Sequence, residues 1–433
     1  MNRSVVIVSV LFFLCAVVGF HDFAMPLIES GDEVIDSASL SNVVASGDLN
    51  HEMALVGLAL LGAVLLWRAR DRIAIEGMLG WVIVGFSTLD FASVLWSDDP
   101  ALCIRRLGVF LSMGMAMLGL ATFSARRIVW IITLVGFYGL ILGITNEVIL
   151  GTFAPWRSDY RFAGSLHPNS QGIALAMLLL GSVILLFADR RGTALKWTLI
   201  LVSIVFLYLT RSRTAIVCAV FAFCFLVALD MYHRRPRRFA VAVLVATAVL
   251  ACIIGSGQSG ELLEAALARP QGQIDDADIG TLTGRTLIWE TCLDYARNRL
   301  LLGYGYESFW SPERIVDISQ RNQWPINQAH STYVELLLGT GFVGLATYVV
   351  MFLLALSASL RQFFRRGAVE YLGIASLLIF NLAQGLSESI TIMPMIGGAV
   401  TMLLVSKLGL VRPRMSHAPP FRRGAGRTME IES

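Results

Sequence analysis

Arginine is the residue that could do chemistry here. Only two lysines, Lys196 and Lys407, occur in 433 residues, so almost every basic side chain is a guanidinium. A guanidinium stays charged at any physiological pH and grips phosphate oxygens in a two-pronged fork. Arg157 and Arg161 fall in WRSDYRFAGSLHPN, Arg211 and Arg213 in the short LTRSRTA turn, and Arg285 opens RTLIWETCLDYARNR. Two readings stand for these arginines: snorkelling to headgroups or capping helix ends, and gripping a polyanion. Two histidines are equally well placed to take a proton from a hydroxyl, His167 in SLHPN and His330 in NQAHSTYVELLLGTGFVGL. Residue chemistry alone does not choose between them, and each also reads as structural. Ser331 is in position to cap a helix whose N-terminus would favour an anion. Glu335 and Asp90 lie inside apolar runs, where a carboxylate is costly. Each reads as an ion-pair partner, a water contact or a catalytic group. The six cysteines show no CxxC or Cys/His spacing, and the one D-x-D pair is at 276–278, so neither a metal nor a cofactor is expected.

The elements that must position these groups are membrane helices. The chain is 56% hydrophobic and only 15% charged, against roughly a quarter charged in soluble domains. The apolar residues come in blocks of about 17–25, the length that crosses a bilayer core as helix. The blocks predict an all-α polytopic bundle of twelve spans, near 4–20, 51–67, 75–95, 107–123, 128–147, 170–187, 195–210, 214–231, 239–256, 331–356, 368–386 and 390–408. The first twenty residues have no A-x-A cleavage signal and are read as an uncleaved span. The tenth is long enough to tilt.

Arginine distribution sets the orientation. With the N-terminus cytoplasmic, the inside segments carry 22 basic residues and the short outside segments six, and the first outside loop, 21–50, carries none but six acidic ones. Both termini are therefore expected inside, and all the arginines singled out above lie outside. The division is 1–256 as spans one to nine, 257–330 as a large outer loop, 331–408 as spans ten to twelve, and 409–433 as a basic tail of disordered composition. Within the loop, 285–299 reads as an amphipathic helix with Leu287, Ile288, Cys292 and Tyr295 on one face, and Gly303 and Gly305 break the chain. A net charge of +3 gives no signal for nucleic acid; the partner read from composition is the bilayer.

The order R-F-x-G-S-x-H-P-N (161–169), S-R-T (212–214), G-R-x-x-x-W (284–289), L-L-G-Y-G (301–305) and H-S-x-Y-x-E-x-x-x-x-x-G-x-x-G (330–344) resembles the O-antigen ligase and Wzy-type polymerase superfamily, which includes ExoQ-like exopolysaccharide production proteins. The likeness covers about residues 160–345. It implies a glycosyltransferase C-like membrane fold and a metal-independent inverting transferase that takes a glycan from undecaprenyl diphosphate at the periplasmic face of the bacterial inner membrane. By matching motif contexts, it implies that Arg213 and Arg285 contact the diphosphate and that His330 activates the acceptor; Arg211, Arg161, His167 and Glu335 are the further substrate-binding candidates. The implied partners are the lipid-linked donor, a glycan acceptor, and chain-length and export proteins. Members divide by acceptor: a second repeat unit for a polymerase, lipid A core for a ligase, protein for an oligosaccharyltransferase. Polymerase is the expectation. The rival class is a lipid-linked-glycan flippase, against which stands the nine-to-three division of spans without paired broken helices.

Overall fold

The structure, a computed structural model, describes residues 3–23, 27, 49–189, 191–238, 240, 285–322, 325–389 and 396–412. Its α-helices, in chain order, are α1 (Arg3–Phe20), α2 (Leu49–Arg68), α3 (Gly77–Ala92), α4 (Pro100–Ala121), α5 (Ala125–Leu150), α6 (Pro168–Ala188), α7 (Thr193–Leu209), α8 (Arg213–Arg234), α9 (Arg285–Asn298), α10 (Pro312–Asn322), α11 (Thr332–Gly339), α12 (Gly341–Arg366), α13 (Val369–Gln384) and α14 (Ile396–Gly409). Six of them (α3 with its 3₁₀ extension, α4, α5, α6, α8 and α12) are long and apolar enough to cross a membrane, and α1, α7, α13 and α14 are shorter apolar helices. Each expected span falls on a described helix with two exceptions. The span at 239–256 lies outside the described residues except for residue 240, and the acidic stretch at 275–278 and the tail from 413 lie outside them altogether. The tenth is not continuous.

α6 is the pillar of the bundle. It is apolar all round, its most hydropathic stretch is 78% buried, and it packs against α5, α7, α8 and α13. α3 and α8, each 22% buried over the same length, present large apolar side chains outward, among them Trp81, Val217 and Phe221. Such a surface suits lipid and not water. At one end of the bundle, cations close helix C-termini. Lys407 Nζ donates to the Ala121 and Phe123 carbonyls at 3.0 and 2.6 Å, Arg72 donates to the Thr122 carbonyl, and Arg126 pairs with Glu370 at 2.6 Å. These residues all come from segments expected on the same side.

The break in the tenth span falls at Thr340–Gly341. Gly341 has φ +67°, and a Cβ there would lie 2.3 Å from the Leu301 carbonyl oxygen, so only glycine allows the 300–305 segment to dock this closely. The loop fills the break with hydrogen bonds. Tyr304 and Gly305 N–H donate to the Leu338 and Gly339 carbonyls at 2.8 Å, and Phe342 N–H donates to the Leu300 carbonyl at 2.8 Å. The groups that a broken helix leaves unsatisfied are thereby paired. The L-L-G-Y-G and G-T-G motifs are two halves of one joint.

Residues 285–322 and 325–329 build a small core of their own from Ile288, Cys292, Ala296, Phe309, Trp310, Ile315, Ile318 and Ile326, closed by Leu102 and Leu338 of the bundle. The inward face of α9 is Arg285, Ile288, Cys292 and Ala296, spaced three, four and four. The expected face is corrected at Leu287, which is 59% exposed. Leu287 stands one residue, about 100°, off the stripe.

Candidate active site at the loop-bearing end

The rotation of α9 that buries Ile288, Cys292 and Ala296 also turns Arg285 inward, leaving it 8% exposed. Its Nη2 donates to Glu388 Oε1 at 2.7 Å. Glu388, just beyond α13, is 7% exposed, and the same oxygen accepts from Asn169 Nδ2 at 2.8 Å. Its Oε2 faces His330 Nδ1 at 3.5 Å. The Glu388 carbonyl accepts from Thr332 N–H at 3.2 Å and from Thr332 Oγ1 at 3.0 Å, which fixes the residue against the first turn of α11. One carboxylate thus joins three motifs: H-P-N through Asn169, G-R-x-x-x-W through Arg285, and H-S through His330.

His330 has φ +49°, a left-handed conformation costly for a side-chain-bearing residue. Two contacts hold it. Trp289 Nε1, one turn along α9 from Arg285, donates to the Ala329 carbonyl at 2.8 Å. The Ala329 N–H donates to Glu335 Oε1. Glu335 also accepts from Trp310 Nε1 at 2.8 Å and from Ser389 Oγ at 3.2 Å. These three internal donors to its carboxylate pin the His330 turn. Ser331 sits at the N-cap of α11 without a side-chain capping bond.

The segment before α6 forms the facing wall. Glu147 Oε1, near the end of α5, accepts from the N–H groups of Ala163 and Gly164 at 2.9 and 2.8 Å, and Phe162 N–H donates to the Leu209 carbonyl at 2.9 Å. Arg161 then donates from Nε to the Thr210 carbonyl at 3.1 Å and from Nη2 to Asn169 Oδ1 at 2.9 Å. The S-R-T turn packs on α6 where a Cβ on Gly172 would lie 2.8 Å from that of Ser212, and Gln384 Nε2 reaches Thr214 Oγ1 at 3.4 Å. Arg213 stands exposed on the first turn of α8 beside this contact, at the same end as Glu388. Arg211, with φ +53°, donates instead to the Ser158 carbonyl, and the exposed Arg157 pairs with Asp159 at 2.7 Å. Those two arginines shape the 157–160 loop and are not drawn into the Glu388 network.

The two histidines divide. His167 Nδ1 accepts from Asn169 N–H at 3.3 Å as the N-cap of α6. Its ring keeps an exposed edge, but desolvation by its surroundings and, next, the Arg161 guanidinium push it down to about 4, so it is neutral near pH 7. Burial raises the Glu388 carboxyl, but the His330 hydrogen bond and the Arg285 charge outweigh it and hold it below the ordinary carboxylate range. Glu388 is therefore an anion with both oxygens facing nitrogen groups. The arrangement is a guanidinium receptor for an anion with an imidazole beside it. Sequence reasoning missed Glu388 and Asn169. Asn169 stood inside the quoted H-P-N motif, and Glu388 follows a span directly.

Residues 198–349 match the family described as O-antigen ligase (Wzy_C). This segment is similar to that family. It holds Arg211, Arg213, Arg285, His330 and Glu335, whereas Arg161, His167, Asn169 and Glu388 lie outside it. The chain is also 23% identical over 304 residues to the exopolysaccharide production protein ExoQ of Rhizobium meliloti strain 1021. The alignment covers 65% of this chain, and the chain spans 65% of the relative's length. Both similarities lie in polysaccharide assembly.

Proposed function

We propose that this protein is a glycosyltransferase that polymerises undecaprenyl-diphosphate-linked oligosaccharide repeat units at the periplasmic face of the inner membrane, without a metal. The observation that carries the reading is the buried Arg285–Glu388 pair at 2.7 Å with His330 beside it. A buried guanidinium at the end of a membrane bundle suits a lipid-linked diphosphate, whose headgroup lies at that depth. In the reaction, His330 takes the proton of the acceptor hydroxyl as its oxygen attacks the anomeric carbon from the face opposite the leaving group. The bond from that carbon to the phosphate oxygen breaks, and its electron pair departs on the diphosphate. Arg285 and Arg213 neutralise that growing charge, a contribution worth roughly 10²–10³ in rate per donor. The side assignment rests on the arginine bias, the donor and inversion on the family resemblance, and the polymer product on the relative's exopolysaccharide role. Chain-length and export proteins are the expected partners.

The name of the matched family favours a second reading, transfer of a finished lipid-linked glycan to lipid A core or to protein. Glycan analysis of a deletion strain separates the two. Loss of high-mass polymer marks a polymerase; polymer stranded on its lipid carrier marks a ligase. Purified protein in detergent should act on lipid-linked glycan with no membrane potential. Inactivity there, with glycan transport in vesicles, would overturn both in favour of a flippase.

A further inference from the structure

Glu388 stands between the two functions of the site. Its Oε1 accepts from Arg285 at 2.7 Å and Asn169 at 2.8 Å, while its Oε2 lies 3.5 Å from His330 Nδ1, at the outer limit of a hydrogen bond. The carboxylate is committed to the arginine and only loosely to the histidine. Its backbone is fixed on Thr332, so a small rotation of the carboxylate is the available freedom. We propose that Glu388 is a positioning residue that holds Arg285 until the donor diphosphate takes over the guanidinium, and then tightens onto His330 Nδ1–H, leaving Nε2 as the base for the acceptor hydroxyl.

This deepens the proposed transferase reading and rests on it. A dianionic diphosphate competes with Glu388 for the same guanidinium, so donor binding loosens the 2.7 Å pair. The released carboxylate then stabilises the imidazolium that forms as the hydroxyl proton moves to Nε2, and that proton afterwards passes to water. The base is strengthened only when a donor is present, which protects the lipid-linked glycan from idle hydrolysis. The other charged and titratable groups facing His330 are Glu335 beneath its turn, Arg285 on α9 and His167 at the head of α6.

The test is Glu388→Gln, assayed with lipid-linked repeat units in detergent, with undecaprenyl diphosphate as the inhibitory probe. Turnover should fall about 100-fold, as for loss of a group that orients a catalytic ligand. The donor KM should stay level or fall, inhibition by undecaprenyl diphosphate should strengthen several-fold, and the acid limb of the pH–rate profile should move to lower pH. A merely structural residue would move none of these last three. Glu388→Asp keeps the charge and should restore about a tenth of wild-type turnover; if the glutamine variant does not fold, the aspartate variant carries the same measurements at smaller amplitude. Unchanged turnover, or a raised donor KM with unchanged turnover, overturns the proposal. A wild-type protein that transfers nothing sinks the transferase reading, whereas active wild type with an equally active glutamine variant sinks only this inference.

Discussion

Arg285 and Trp289 stand one turn apart on α9, and through them a single helix holds both sides of the candidate site: Glu388 accepts from Arg285 Nη2 at 2.7 Å and the Ala329 carbonyl accepts from Trp289 Nε1 at 2.8 Å. The G-R-x-x-x-W spacing is a helical i, i+4 pair. Trp289→Phe keeps the ring and removes only the N–H, so stability should fall by about 1 kcal/mol. The His330 turn then loses one of its two pins, and turnover should fall about tenfold or more, because small displacements of a positioned base are costly. Wild-type turnover in a folded Trp289→Phe variant would show that Glu335 alone suffices.

Arg285 carries a sharper prediction. Arg285→Ala leaves Glu388 as an unpaired buried anion, a loss of roughly 3–5 kcal/mol, so inactivity alone would be ambiguous. Arg285→Lys restores the charge but offers a point donor in place of a fork. The lysine variant should unfold within a few degrees of wild type yet lose at least about 100-fold in transfer. Near-normal polymer from it, on a gel ladder, removes bidentate phosphate binding from the mechanism.

Local and pairwise information were unequally legible in the sequence. Apolar blocks carry the bundle because bilayer thickness acts on each segment separately. The joint at Gly341 was missed because hydropathy runs unbroken from 331 to 356; only the contact with Leu301 reveals it. Leu287 was assigned inward because apolar character was followed in preference to the stripe that Arg285 shares. Glu388 was invisible for a deeper reason. Its partner lies 103 positions away, and no periodicity links a carboxylate after one span to an arginine in a distant loop.

The histidines should behave as different kinds of residue. His167, held near 4 and capping α6, has no proton to exchange near pH 7. His167→Asn keeps a capping acceptor and should retain at least about a third of wild-type activity, the cap itself being worth about 1 kcal/mol. His330→Asn should abolish transfer with little change in unfolding temperature. Below about pH 6 the unfolded chain protonates His167 while the folded chain resists, so wild-type stability should drop between pH 6.5 and 4 more steeply than that of His167→Asn. Thermal unfolding in detergent across that range, together with turnover at pH 7, checks both halves. Equal losses of activity in the two variants would mean that geometry has not separated them.

Gly341→Ala tests the joint. The φ of +67° and a Cβ 2.3 Å from the Leu301 oxygen forbid the substitution without moving the loop. The expected cost is roughly 2–4 kcal/mol from backbone strain and lost docking. Because the 300–305 segment of the joint leads into Trp310, which holds Glu335, activity should fall along with stability. Gly367→Ala, at another left-handed glycine with open space around it, is the control and should keep full activity. Protease accessibility of the 300–305 segment in intact protein reads the joint directly; no increase in the Gly341→Ala variant would refute the docking argument.

Glu307 supplies the pH prediction with the opposite sign. It lies beyond the joint at φ +47° and lines a cavity of about 200 Å³ with Phe86, Phe110, Tyr348 and Glu335. Desolvation pushes its carboxyl up to about 8, opposed by Arg106 and reinforced by Glu335. Asp90, on which Glu307 bears, has neither carboxylate oxygen hydrogen-bonded among the described residues. Between about pH 4.5 and 8 the folded chain keeps a proton on Glu307 that the unfolded chain has lost. Unfolding therefore releases a proton in this window, and stability falls as pH rises through it. Glu307→Gln cannot titrate, so its unfolding temperature minus that of wild type should grow steadily from pH 5.5 to 8.5, and the same comparison in an Asp90→Asn background removes the neighbouring carboxylate from the balance. A difference that stays constant across that range would mean that Glu307 is already ionised in the folded protein, and that Arg106 outweighs its burial.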